Sequence, residues 1–237
     1  IERCRSVVGE GGSVIALAFS PHPMATLNPQ RAPMAIEPFS VRRERLMEAG
    51  ADEVVGLEPT PEFLAMSAGG FVDFGFGKRR SGNATVLREL AQVRGVDVQI
   101  VGAVDTALTD QSIVRASSSI TRWLLDHGRV RDAGFVLGRP HELIGTVVRG
   151  DQLGRQIGFR TANLDTASMF PCDGVYSAIV ELPCGETLGG AMNIGTRPTV
   201  NGTQRRAEVH VFDGDGSPWV PADGFPEYGW DIRVKML

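Results

Sequence analysis

The chain has little cysteine: Cys4, Cys172 and Cys184 are scattered, odd in number and form no CxxC pair. No His/Cys cluster stands at zinc spacing either. This excludes a disulfide framework and a zinc finger, and it fits a reduced, cytoplasmic protein. Positive charge is not in excess: 24 Lys and Arg face 28 Asp and Glu, for a formal net charge of −4. A general nucleic-acid binder would show a basic surface, so nucleic acid is not an expected partner. Long apolar runs are missing; the longest, such as residues 14–19, are strand-sized, which excludes a membrane span. Signal-peptide pattern, internal repeats and low-complexity tracts are absent as well. The chain begins at Ile1 rather than Met, in what reads as the end of a helix, so earlier residues are expected.

What remains is an ordinary globular composition, 42% hydrophobic and 22% charged over 237 residues, enough for one large domain or two modest ones. Residues 13–19 (SVIALAF), bounded by Gly12 and Pro21, predict a buried strand. Residues 52–57 and 96–101 (VDVQIV) predict two more. Helices are predicted over residues 41–49, 85–94, 119–127 with Ser119 as its cap, and 130–137. Alternating strands and helices indicate an α/β domain with a mainly parallel sheet. After Gly138 helical periodicity vanishes. Short β-rich segments at 143–148, 174–182, 189–194, 207–212 and 232–236, separated by turn residues, predict a small all-β barrel. The domain boundary is therefore set at 1–137 and 138–237. Along 207–212, Glu208, His210 and Phe212 share one face, and Ala207, Val209 and Val211 the other.

The richest stretch is residues 150–164 (GDQLGRQIGFRTANL). Gly150, Gly154 and Gly158 recur every four residues around Arg155, with Arg149 just before and Thr161-Ala162-Asn163 at the end. Glycines allow close approach to a ligand, successive N–H groups can cradle phosphate oxygens, and arginine adds a planar donor. Thr161 and Asn163 offer hard oxygens of the kind magnesium takes. No G-K-[ST] follows, so this is not a Walker loop. Alone, the glycine pattern also suits a hairpin loop. Glu208 alone suits a solvated strand position, and the Gly195 and Pro198 within residues 193–199 (NIGTRPT) suit a turn. The DGDG at 213–216 lacks the third acidic position and the closing glutamate of a calcium loop and is rejected as one.

In order, residues 137–140 (LGRP), 145–148, 150–164, 174–176 (GVY), 193–199, 207–213 (AEVHVFD) and 232–234 resemble the riboflavin kinase module of bacterial bifunctional riboflavin kinase/FAD synthetases. The first half resembles that family's nucleotidyltransferase module through residues 19–23 (FSPHP), 63–72, 73–77 with 80–82, and 117–122. The resemblance implies a Rossmann-like parallel-sheet domain followed by a riboflavin kinase β-barrel. It implies ATP-dependent phosphorylation of riboflavin to FMN, then adenylylation of FMN to FAD, with Mg2+ and small-molecule substrates alone. It makes Glu208 the catalytic base that takes the proton of the ribityl hydroxyl. Gly150, Gly154, Arg155, Gly158, Thr161 and Asn163 become the ATP-phosphate site, the last pair holding the metal. Asn193, Gly195, Thr196 and Arg197 become a flavin-side flap, in which Arg197 is either a phosphate contact or a solvated cation. His210 takes a structural role. For the adenylyltransferase, His22, Ser118 and Arg122 are implied at the nucleotide, and Asp73 and Phe74 at the flavin. His22 equally suits a rigid loop, and the serine cluster equally suits ordinary helix capping.

Departures from the family pattern are specific. None of the four histidines, His22, His127, His141 and His210, forms an HxGH motif. The passage through Val72-Asp73 is abrupt, the family's C-terminal helix does not follow Leu237, and Arg160 stands where the family has proline. Two other readings stay open on the sequence: a riboflavin kinase with a degenerate first domain, and a non-catalytic flavin or nucleotide sensor. Oligomeric state is not legible.

Overall fold

The structure, a computed structural model, describes residues 1–65, 84–93, 95–150, 161–199 and 202–237. Contacts divide the chain into two units, Ile1–Met34 with Phe39–Gly102, and Ala35–Pro38 with Ala103–Leu237.

The first unit runs α1 (Glu2–Val8), β1 (Ile15–Phe19), α2 (Met24–Leu27), a short 3-10 turn (Pro29–Arg31), α3 (Phe39–Glu48), β2 (Glu53–Leu57), α4 (Pro61–Ala65) and α5 (Ala84–Val93). β1 and β2 pair in parallel, Leu17 opposite Val55. Parallel pairing needs a crossover, and α3 supplies it. Val14, Ala16, Ala51 and Val54 form its core, with Ile1, Phe39 and Leu46 packed on them. Asp52 ties the start of the sheet, accepting from the Val14 N–H at 2.7 Å and from Arg5.

The second unit opens with β3 (Asp105–Ala107) and β4 (Ile113–Arg115), an antiparallel hairpin, then α6 (Ser118–Asp126) and α7 (Val130–Leu137). The strand expected at 96–101 is absent: residues 96–104 have no regular structure. Val96 and Val101 are mostly exposed, so the alternating pattern there meets no ladder to join. The cap of α6 is Ser117 rather than Ser119; its Oγ accepts from the Ile120 N–H, the third helical residue. α7 ends where expected, on Gly138 in the left-handed region at φ 70°. Asp132, buried in α7, accepts from the Thr109 N–H at 2.7 Å, the Thr109 hydroxyl at 3.0 Å and Arg129 at 2.7 Å. Burial pushes its carboxyl up, and these donors outweigh it, holding Asp132 below the ordinary range.

Six strands then close a barrel: β5 (His141–Val148), β6 (Ala162–Asp165), β7 (Gly174–Glu181), β8 (Thr187–Thr199), β9 (Gly202–Phe212) and β10 (Asp231–Met236), in the order β10-β5-β6-β9-β8-β7. Every barrel pairing is antiparallel. Alternate residues fill it: Leu143, Val180, Met192, Val209 and Val234 are all fully buried. Each such side chain contributes about 1.5–3 kcal/mol by leaving water. Leu124, Leu125 and Ala133 of the two helices belong to the same core.

His141 is 1% exposed, and its Nε2–H donates to the Met169 carbonyl at 2.8 Å. Burial pushes its pKa from the ordinary 6.5 down to about 4. The unfolded chain therefore binds a proton that the folded one refuses between those values. The stability this adds is complete above pH 6.5 and is lost as pH falls toward 4. A shift of that size corresponds to about 3 kcal/mol. Urea unfolding from pH 7 to pH 4.5 should show this decline, and His141→Gln should flatten it.

Candidate functional site

The barrel register puts three polar side chains side by side. Glu208 of β9 lies opposite Asn163 of β6 on one flank and Asn193 of β8 on the other. Their chain neighbours Leu164, Ala207, Val209, Met192 and Ile194 are buried inside. The row Asn163–Glu208–Asn193 therefore occupies the outer face. Glu208 is nonetheless only 9% exposed. A carboxylate at that depth is costly without polar company, and the two amides flanking it supply dipoles.

Asn163 dictates its surroundings. A Cβ on Gly150 would lie 2.0 Å from Asn163 Nδ2, so only glycine lets the amide sit there. Asn163 Oδ1 is buried with no hydrogen-bond partner among the described residues. A buried acceptor left so costs about 1–3 kcal/mol, a cost usual where a ligand completes the site.

Asn163 borders a cavity of about 370 Å3 that also has Gly150 and Thr161 in its wall. Its lining also includes four aromatic residues: Trp219, Phe225, Tyr228 and Trp230. Phe225 meets Trp230 edge-on at 5.1 Å and Trp219 at 5.6 Å. This strap is pinned at both ends, the Trp219 N–H on the Val211 carbonyl at 2.9 Å and the Val147 N–H on the Trp230 carbonyl at 2.8 Å. Sequence reasoning missed the strap. Its signal was two of the three tryptophans in one short run rich in proline and glycine.

Asn163 also borders a second cavity, of about 430 Å3, with Phe170, Arg149, Arg205 and Arg206 in its wall. One amide thus stands between an aromatic space and a basic one.

The remaining expected residues fall as follows. Thr161 is exposed immediately before β6. Asn193, Gly195, Thr196 and Arg197 are in β8, so residues 193–199 are a strand where their glycine and proline had suggested a turn. The long register with β9 overrides those residues. His210 shares the outer face with Phe212, their rings edge-on at 4.7 Å. Gly154, Arg155, Gly158 and Arg160 lie outside the described residues, as do Asp73 and Phe74. His22 follows β1 in the first unit and its Nδ1 accepts from the Met24 N–H at 3.1 Å, a turn-forming contact. Ser118 and Arg122 lie on α6 in the second unit, where burial pushes the Arg122 pKa down. Among the described residues, no helix is long and apolar enough to cross a membrane.

Known proteins resemble this chain along both halves. A riboflavin kinase family model matches residues 137–237, and an FAD synthetase model matches residues 5–116. The bifunctional riboflavin kinase/FMN adenylyltransferase of Escherichia coli (strain K12) is 33% identical over 219 residues, covering 84% of this chain and 68% of that protein. Its Listeria monocytogenes counterpart is 30% identical over 234 residues, covering 90% and 72%. A solved structure described as a macrolide-efflux protein from Streptococcus pneumoniae is 25% identical, with a TM-score of 0.80 over 99% of this chain and 77% of that one.

The crowding at Gly150 gives a direct check. Gly150→Ala should lower stability by about 1–3 kcal/mol, because the amide must move. Gly189→Ala, with nothing within 4 Å of its Cβ, should change it by less than about 1 kcal/mol in the same denaturant titration.

Proposed function

The chain belongs to the bifunctional riboflavin kinase/FMN adenylyltransferase family, and we propose that its riboflavin kinase chemistry is performed on the Asn163–Glu208–Asn193 row of the barrel. The protein is an enzyme of flavin cofactor synthesis: it phosphorylates riboflavin to FMN and adenylylates FMN to FAD, with ATP as the second substrate of each step. The kinase-only and sensor readings give way to this. We assign the adenylyltransferase to residues 1–137 and the kinase to residues 138–237, and the protein to the cytoplasm. His22, Ser118, Arg122, Asp73 and Phe74 remain our candidates for the first domain.

In the kinase, the observation that carries the assignment is Glu208 lying between two amides in the register, one of which ends in the buried Asn163 Oδ1, unpartnered among the described residues. Glu208 receives the proton of the ribityl 5′-hydroxyl as the hydroxyl oxygen takes the γ-phosphoryl group of ATP, which leaves ADP. Asn163 and Asn193, its register partners on either flank, place amide dipoles beside the carboxylate. The residues present fit Mg2+: Asn163 Oδ1 and the Thr161 hydroxyl are hard oxygens at one cavity wall, and Oδ1 lacks a partner among the described residues. Such an ion, held by Thr161 and Asn163, would neutralise phosphate charge. Gly150 with Gly154, Arg155 and Gly158 would cover the phosphates. The aromatic cavity suits the nucleotide, since base faces stack on such walls, and we assign the second cavity, bordered by β6, β9 and the Phe170 ring, to the flavin. Asn193, Gly195, Thr196 and Arg197 then lie on the flavin side.

Glu208→Gln should cut FMN formation by about a hundredfold or more while leaving ADP binding largely intact. The assay supplies riboflavin, ATP and magnesium and follows FMN and FAD by chromatography. Wild-type turnover in that variant would sink the assignment of the base.

A further inference from the structure

The β8–β9 hairpin is longer than the barrel it belongs to. β7 pairs with β8 only as far as Ile194, and β6 pairs with β9 only as far as Ala207. Beyond them, among the described residues, Gly195–Thr199 and Gly202–Arg206 pair only with each other, in five register positions. A two-stranded ribbon with no third strand is marginal in water and needs an anchor.

Among the described residues the anchor is one short segment, residues 170–173. Asp173, directly before β7, accepts from the Thr196 hydroxyl at 2.8 Å through Oδ2 and from Arg205 Nε at 2.9 Å through Oδ1. Thr196 and Arg205 are register partners on the two strands of the arm. A single carboxylate therefore grips both strands at the same level. Arg205 also donates to the Pro171 carbonyl, and its guanidinium lies 5.8 Å from the centre of the Phe170 ring. Arg205 and Phe170 are both in the wall of the basic cavity, next to Asn163. The arm then continues through Arg206 and Ala207 into Glu208.

We propose that Asp173 is a positioning residue for the kinase: it latches the β8–β9 arm and thereby sets the wall against which the flavin acceptor binds. The proposal rests on the flavin-side reading of the basic cavity. Asp173 touches neither Glu208 nor the aromatic cavity that suits the nucleotide. Its loss should therefore act on acceptor binding more than on nucleotide binding. The latch is half exposed, so it contributes little to global stability.

The test joins two readouts on the full chain. Hydrogen exchange is measured on the free protein, and steady-state kinetics with riboflavin and ATP varied separately. Asp173→Ala should speed exchange of amides in residues 195–206 by about three- to tenfold and raise the riboflavin KM by a similar factor. The ATP KM should stay within about twofold and the melting temperature nearly unchanged. Asp173→Asn keeps an acceptor oxygen without the charge and should fall between the two. Unchanged arm exchange, or a riboflavin KM that does not move or moves together with that for ATP, would overturn the proposal. If the unsubstituted protein makes no FMN, the kinase reading fails on its own, and the exchange measurement still decides the latch.

Discussion

The register of β9 between β6 and β8 is the constraint on which the site depends. Glu208 meets Asn163 and Asn193 only because Val209 and Ala207 on either side of it are committed to the barrel interior. A slip of one residue would turn Glu208 into the core and expose Val209, losing apolar burial and adding a desolvated charge. The packing that stabilises the barrel therefore also fixes the placement of the carboxylate. Closure strengthens this, because at Ala207–Val209 the six-stranded ring pairs β9 on both edges, with β6 and with β8.

From that row, the rest of the site follows by exclusion of space and by shortage of partners. Gly150 is required because the Asn163 amide takes the room a side chain would need. Oδ1 of the same amide has no partner among the described residues, which makes it a point where a bound ion or substrate gains most. Aromatic rings line one side of Asn163 and arginines the other. A donor and an acceptor with different chemistry can thus approach the same amide from different directions, which suits a transfer between a nucleotide and a flavin.

The barrel was largely legible from its short β-rich segments, and in β9 the apolar face Ala207, Val209 and Val211 is buried as the alternation predicts. β6 was not read as a strand: it has only four residues, and three of them fall in the 150–164 stretch whose glycines suit a hairpin loop. The pair Thr161 and Asn163 was found from residue chemistry, but its adjacency to Glu208 needed the strand register, which no local pattern reports. Residues 193–199 read locally as a turn, and cross-strand pairing with β9 overrode glycine and proline there. Residues 96–101 failed in the opposite way, since their pattern was right for a strand with no neighbour to complete it. The aromatic strap was invisible for a different reason: irregular segments have no period, and only its tryptophans marked it.

A crystal structure with riboflavin and a non-hydrolysable ATP analogue bound together tests the central claim most directly. The ribityl 5′-hydroxyl should lie within hydrogen-bond reach of Glu208, and the nucleotide phosphates should lie against Thr161 and Asn163. A 5′-hydroxyl placed away from Glu208, or phosphates bound away from Thr161 and Asn163, would contradict it.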